Sequence, residues 1–237
     1  MRYLVALFLL IGCASAPMGE TPMVPQVFEL RITGVNSVNV AEDCGDGITR
    51  SMQVENTDGE LSRLTFINGG EGHYKLFSTV SMTDSTNLWQ DLIIMRSMGI
   101  TKLHIYINSH GGSATDGLAL ADIIASAISN GFDITTYAVG TVSSAAVVAF
   151  AAGNYKISME SAQFMVHEAK IGKYLTYEDA DQLKVQQEML ELLKAKYIKI
   201  LVAGSDLSST VWADKIKRTT YFTAAEAKDW GLVDEIR

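Results

Sequence analysis

Along residues 103–152, the spacing of apolar positions alternates between that of a strand and that of a helix. Residues 103–107 form a strand-type apolar run, a Gly111-Gly112 turn follows, and residues 115–130 place apolar side chains on one helical face. Residues 134–139 and 144–152 repeat this order of strand and helix. Strands that alternate with helices predict an α/β fold, in which a parallel sheet is covered by helices.

Further elements are predicted on both sides of these cycles. Strand-like pieces occupy residues 27–32, 64–67 and 76–80, and Asp84 is the expected cap of a helix that buries Leu88, Leu92 and Met95. Thr176 is the expected cap of a long helix, and Thr223 with Glu226 forms a capping box for a short one. The long helix carries an apolar stripe expected to pack on the core: Leu183, Leu190, Leu193, Tyr197 and Ile200.

Residues 134–153 contain no charged side chain, and 20 such positions are enough to span a bilayer. A membrane helix is therefore an alternative for this segment. An internal Gly140, several hydroxyl residues and β-branching in the first third favour a buried strand that leads into a buried helix.

The first residues indicate export. Arg2 precedes a short apolar run, and residues 10–13 (Leu-Ile-Gly-Cys) resemble a bacterial lipoprotein signal. This resemblance implies a signal peptide over 1–12, a lipidated Cys13, and a membrane-anchored protein on the periplasmic side of the cell envelope. An uncleaved signal or a mis-assigned start codon are the alternatives, and without a signal the protein would be cytoplasmic.

The proline distribution suggests how the rest of the chain is divided. All three prolines lie within residues 13–26, which predicts a flexible tether. A strand-rich extension over 27–72 and a main domain over 73–237 are expected to follow.

Composition excludes some classes of function. The 19 basic and 27 acidic residues give a formal charge of -8 and a pI of about 5.0, so nucleic acid is not an expected partner. The two cysteines lack the spacing of a metal or redox motif, and no metal or cofactor is expected.

Three predicted strand ends carry residues that can take part in catalysis. Residues 108–112 (Asn-Ser-His-Gly-Gly) offer exposed backbone N–H groups, Ser144 precedes a helix, and His167 ends an apolar strand. Each has an ordinary structural interpretation, respectively a turn, a helix cap and a core histidine. Together they offer a hydroxyl nucleophile with an imidazole base.

The ordered set of motifs resembles the proteolytic subunit of Clp protease, in the ClpP/crotonase superfamily, over about residues 74–236. The motifs are Asn-Ser-x-Gly-Gly, Gly-x-x-x-Ser, Met-x-His and Ala-x-Glu-Ala-x-x-x-Gly-Leu-Val-Asp. The resemblance implies Ser144 as nucleophile, His167 as general base, and the N–H groups of Gly112 and Ala145 as the oxyanion hole. It also implies a homo-oligomer, with a ring as one form, that acts on peptides or unfolded proteins without metal or cofactor.

The chain departs from the family pattern at three places. Thr219 stands where the family has the Asp that orients the histidine, and His110 stands where it has Pro. The glycine-rich segment after the histidine is reduced to Gly172, which leaves the ring assembly open. An exported chain would also meet no cytosolic Clp ATPase, so that partner is not expected.

Alternative functions remain open from the sequence. Thr219 suits a weakened or inactive assembly or binding protein, and the superfamily also contains acyl-CoA enzymes of crotonase type. A Ser-Lys site, as in signal peptide peptidases, would have to use Lys156, Lys170 or Lys173, and Ser143 is the rival nucleophile.

Overall fold

The computed structural model describes residues 29–33, 37–43, 49–55, 64–67, 71–170 and 179–237, with side chains described in the last two ranges. The expected signal peptide (1–12), Cys13, the tether (13–26), Lys173 and Thr176 lie outside these residues. The chain divides into two units between Leu61 and Ser62.

The first unit contains an antiparallel sheet in the order β1-β2-β3. Its strands are β1 (Glu29–Thr33), β2 (Ser37–Asp43) and β3 (Thr49–Glu55). The sequence pattern indicated β1, displaced by one or two residues, and missed β2 and β3.

The second unit is an α/β structure, as predicted. Its strands are β4 (Leu64–Ile67), β5 (Glu71–Leu76), β6 (Lys102–Ser109), β7 (Asp133–Ser143), β8 (Tyr155–Ser158), β9 (Gln163–Val166), β10 (Thr220–Thr223) and β11 (Glu235–Ile236). Its helices are α1 (Met82–Ser97), α2 (Ala114–Ser129), α3 (Ala145–Ala151), α4 (Ala180–Ala203), α5 (Ser209–Lys217) and α6 (Ala224–Asp229).

The sheet of this unit runs in the order β10-β9-β7-β6-β5-β4, and β8 also pairs with β7. Strands β5, β6, β7 and β9 are parallel, whereas the two outer strands β4 and β10 are antiparallel to their neighbours. Parallel strands are buried when helices cover them. Alternate residues of β5 and β6 accordingly enter the core, among them Tyr74, Leu76, Leu103, Ile105 and Ile107.

The uncharged segment 134–153 is most of β7 followed by α3. All seven residues of α3 are buried, which explains why this helix carries no charge. Within the part of the chain that the structure describes, no helix is both long and apolar enough to cross a membrane.

Two predicted helix caps are wrong. Ser81 rather than Asp84 is the N-cap of α1, and Asp84 instead completes its capping box. Asp179 caps α4 through a capping box with Gln182, so α4 begins at Ala180 and not directly after Thr176. The predicted box of Thr223 and Glu226 is confirmed.

The predicted packing of α4 holds for its C-terminal half. Tyr197 and Ile200 pack against the core, and Leu201 is fully buried. Leu183, in the N-terminal half, is 50% exposed, so the apolar stripe is not covered along its whole length.

Candidate active site

The candidate residues meet at one edge of the sheet. Strands β6, β7 and β9 are parallel and end at Ser109, Ser143 and Val166, whereas β10 runs in the opposite direction and begins there. The register pairs Ser143 with Met165 and Val166 with Thr220. Residues 144, 167 and 219 therefore each lie one position beyond this edge.

Ser144 occupies a strained turn between β7 and α3. Its φ of 54° and ψ of -125° are unusual for a residue with a side chain, and such conformations cost about 1–3 kcal/mol. Its N–H donates to the Met165 carbonyl (2.7 Å), and its carbonyl accepts from the Tyr197 hydroxyl of α4 (2.8 Å). These two bonds hold the turn from both sides.

The Ser144 hydroxyl does not cap α3. The residue stands at the N-cap position, yet its side chain makes no capping hydrogen bond. The capping interpretation of this serine is therefore not supported, and the hydroxyl stays available for another role. Ser143 is 4% exposed at the end of β7, which leaves Ser144 as the more accessible of the two hydroxyls.

The glycine turn after β6 lies directly against Ser144. Gly111 has a φ of +92°, and a Cβ placed on it would lie 2.6 Å from the Ser144 Cβ and 3.0 Å from the Ala145 nitrogen. A side chain at this position would displace the serine. Glycine is thus required here for both its conformation and its close approach.

The backbone of this turn directs the N–H of Gly112. Val80 donates its N–H to the Gly111 carbonyl (2.9 Å) and accepts from the Ser113 N–H (3.0 Å). Because the carbonyl and N–H of a peptide group point in opposite directions, the Gly112 N–H points away from Val80. Ala145 begins α3, where N–H groups have no partner within the helix.

His167 follows β9 and is half-buried. Its Nδ1 lies 2.6 Å from the Glu168 carbonyl, which can only accept, so Nδ1 is the donor in this contact. In the neutral ring with this tautomer, Nε2 is the nitrogen that can accept a proton. Glu168 itself is tied to α4, because its carboxylate lies 2.7 Å from the Lys194 ammonium. This bond lowers the pKa of the Glu168 carboxyl and raises that of Lys194.

Thr219 is exposed and also strained, with a φ of 56°. Its N–H donates to the Ile216 carbonyl (3.2 Å) at the end of α5. Positive φ is a genuine outlier for a β-branched residue. Ser144 and Thr219 are the two non-glycine residues with positive φ in the described part of the chain.

The structure assembles the candidate residues without completing a catalytic hydrogen-bond chain. No hydrogen bond joins the Ser144 hydroxyl to His167, or His167 to Thr219, although all three side chains belong to the described ranges. Ser144 and His167 are connected through the backbone, because the Met165 carbonyl accepts from the Ser144 N–H and Met165 lies two residues before His167.

One of the lysines considered for a Ser-Lys site is not supported by the structure. Lys156 lies in β8, 8% exposed, and its ammonium pairs with the Asp234 carboxylate (3.1 Å) rather than with Ser144. Lys170 is exposed beyond His167. His110 is exposed in the glycine turn, in agreement with its interpretation as a turn residue.

Three residues near the site were not predicted from the sequence. Tyr197 was recognised only as an apolar position, yet its hydroxyl binds Ser144, and burial raises the pKa of that phenol so that it remains a donor. Glu168 acts through its backbone carbonyl, which no side-chain pattern reports. Lys194 is 26 residues from its partner Glu168 and carries no motif.

The parallel sheet with its helical cover is an α/β fold of the ClpP-like type. The family model described as Clp protease matches residues 71–237, and the chain belongs to this family. The chain is 34% identical to the ATP-dependent Clp protease proteolytic subunit 3 of Rhodococcus jostii over 134 residues, which cover 56% of this chain and 63% of that protein. It therefore spans less than two thirds of that relative.

Two further proteins show the extent of the similarity. Proteolytic subunit 1 from Cutibacterium acnes is 29% identical over 61% of this chain and 67% of its own length. A ClpP1 point mutant from Listeria monocytogenes superposes with a TM-score of 0.59 at 18% identity, covering 70% of this chain and 90% of that one. The last similarity concerns the fold alone.

Proposed function

We propose that this chain is a serine-type endopeptidase that hydrolyses peptide bonds in peptides or unfolded proteins. The observation that carries the proposal is the strained turn at Ser144, whose hydroxyl is not used as a helix cap and whose Cβ leaves no room for a side chain on Gly111. Family membership supports a peptidase rather than an acyl-CoA enzyme. The relatives are named proteolytic subunits, and their activity is here a hypothesis for this chain.

The proposed mechanism uses side chains and backbone groups of this chain. Ser144 Oγ attacks the peptide carbonyl while His167 Nε2 takes its proton, and the N–H groups of Gly112 and Ala145 donate to the oxyanion. His167 then protonates the leaving amine as the C–N bond breaks. Water, deprotonated by His167, releases the acyl group and restores Ser144.

The family has an Asp at the position of Thr219, and its carboxylate orients the histidine. In the proposed mechanism the Glu168 carbonyl performs part of that role. By accepting from Nδ1 it favours the tautomer whose Nε2 can receive the serine proton. A neutral carbonyl stabilises imidazolium less than a carboxylate does, so the proposed enzyme is slower than a full triad.

A fluorophosphonate probe tests the proposal, because it reacts with activated serines. We expect label on the wild type, loss of label in Ser144→Ala and His167→Ala, and retained label in Ser143→Ala. No label on a folded, assembled wild type would contradict the proposal. Loss of label in Ser143→Ala, with label retained in Ser144→Ala, would show that Ser143 and not Ser144 is the nucleophile.

A second candidate is a non-catalytic assembly or binding protein of the same fold. Thr219 and the absence of a bond between Ser144 and His167 favour it. Under this hypothesis the probe labels nothing, while the assembled protein and its fold are unchanged by Ser144→Ala.

Location in the bacterial envelope, with a lipid on Cys13 and no ATPase partner, is part of the proposal and comes from the sequence pattern alone. Growth with labelled palmitate tests it. Label that Cys13→Ala removes is expected, whereas an unlabelled mature protein would leave the cytoplasm as the location and a Clp ATPase as a possible partner.

A further inference from the structure

A second group of reactive side chains lies near the starts of β5 and β6, away from the candidate active site at the ends of the strands. His73 and His104 are paired in the parallel register, with ring centroids 4.7 Å apart. Glu71 lies two residues before His73, on the same face of the strand. Gly72 and Tyr74, which alternate with these residues, are buried, so the cluster occupies the face of the sheet opposite those buried positions.

Tyrosine hydroxyls fix the orientation of both imidazoles. Nδ1 of His73 lies 3.1 Å from the Tyr106 hydroxyl, and Nδ1 of His104 lies 3.1 Å from the Tyr137 hydroxyl. The two tyrosine rings stack with centroids 4.6 Å apart. Metal-binding histidines commonly have such a partner on the nitrogen that does not bind the ion.

Glu71 completes the group. Its Oε2 lies 3.1 Å from Nε2 of His104, a residue that is 8% exposed. A carboxylate only accepts, so Nε2 of His104 is the donor in this contact. An ion that binds both atoms would replace this hydrogen bond.

We propose that Glu71, His73 and His104 form a binding site for a divalent transition-metal ion, with Zn²⁺ as the expected ligand. One ligand atom from each residue lies within 4.8 Å of the others. Two imidazoles and one carboxylate suit Zn²⁺, and tetrahedral coordination brings such atoms to roughly 3.3–3.6 Å from each other. Glu71 Oε2 is already 3.1 Å from His104 Nε2, so the adjustment that the ion requires falls mainly on His73, and water completes the coordination.

Lys102 competes with a metal ion for the Glu71 carboxylate. Its ammonium lies 2.6 Å from Glu71 Oε1, so it must release the carboxylate or share it when a cation binds. Removing the Lys102 charge should therefore strengthen metal binding. A cluster whose role is only to hold the two strands together makes no such prediction.

The experiment uses chelator-treated protein without a polyhistidine tag, titrated with Zn²⁺ by calorimetry and with Co²⁺ by visible absorption. We expect one ion per chain, at least tenfold weaker binding in Glu71→Gln and His73→Asn, and several-fold tighter binding in Lys102→Met. His110→Asn is the matched control, because it removes one of the other two histidines, and its affinity should equal that of the wild type.

Two results would overturn the site. One is a wild type that takes up no Zn²⁺ at micromolar free concentration, and the other is uptake that persists unchanged in both Glu71→Gln and His73→Asn. The Glu71 side chain is 40% exposed and Gln keeps its shape, so this variant tests the site even where His73→Asn fails to fold. Neither result affects probe labelling at Ser144.

Discussion

Thr219 combines an unfavourable residue type with the position at which the proposed mechanism lacks a carboxylate. Its φ of 56° lies in the left-handed region, which disfavours β-branched side chains and which Asp and Asn tolerate better. We expect Thr219→Asp to raise kcat for peptide hydrolysis about tenfold or more, because a carboxylate beside His167 would stabilise imidazolium. The measurement is the steady-state rate on an unstructured peptide.

Thr219→Asn separates the effect of relieving backbone strain from the effect of adding a negative charge. Both variants should unfold at a higher temperature, by about 2–4 °C for a gain near 1 kcal/mol, because both relieve the same strain. Only Thr219→Asp should be faster. Equal rates in the two variants would mean that the missing carboxylate does not limit the reaction.

The sequence pattern made Ser144 and His167 candidates, because a hydroxyl before an apolar helix and an imidazole after an apolar strand are visible in the sequence, and the resemblance to the Clp family implied their roles. The groups that hold them were not visible. Glu168 contributes a main-chain oxygen, and Tyr197 reaches Ser144 across 53 positions. The Glu71, His73 and His104 cluster depends on the register of β5 and β6, which no local spacing encodes.

At the scale of the element, Gly111 and Gly131 form a natural pair for comparison. Their φ angles are +92° and +87°, but a Cβ on Gly131 would meet nothing within 4 Å, whereas one on Gly111 would overlap Ser144. Gly131→Ala should cost about 1–2 kcal/mol of strain in chemical denaturation. Gly111→Ala should cost about 1–3 kcal/mol more and should abolish probe labelling.

The comparison distinguishes conformation from contact. Equal losses of stability, together with normal labelling of Gly111→Ala, would show that the turn can move away from Ser144. The proposed oxyanion hole would then lack the fixed backbone on which it depends.

The hydrogen bond from Tyr197 joins α4 to the turn before α3. Tyr197→Phe removes the donor and keeps the ring, so we expect a loss of about 1 kcal/mol in the free energy of unfolding and slower probe labelling of Ser144. Tyr155→Phe is the control, since that exposed hydroxyl bonds Glu235 away from Ser144. Similar labelling rates in the two variants would contradict a role for Tyr197 in holding the turn.

The elements themselves were predicted best where burial was complete. The uncharged β7 and α3 and the alternation of β6 with α2 left strong patterns, and fold class followed from them. Helix starts were less certain, because several capping residues occur close together before α1 and α4. The exposed half of α4 was misjudged, since an apolar stripe looks the same whether this chain or another copy covers it.

At the scale of the whole molecule, α4 supplies a surface that suits the homo-oligomer that the family resemblance implies. Val185, Met189 and Leu192 are 64%, 44% and 64% exposed and lie on one helical face, at spacings of four and three. An interface that buries such a stripe excludes charge, because an unpaired carboxylate is costly to desolvate.

We therefore expect Met189→Glu to reduce the assembled mass in sedimentation, while Gln187→Glu, which adds the same charge off the stripe, leaves it unchanged. The C-terminal half of the same helix carries Lys194 and Tyr197, which hold Glu168 and Ser144. Loss of the interface should therefore also slow probe labelling of Ser144. A monomeric wild type, or equal masses for the two variants, would exclude α4 as the assembly surface, and unchanged labelling of a dissociated variant would show that the site does not depend on assembly.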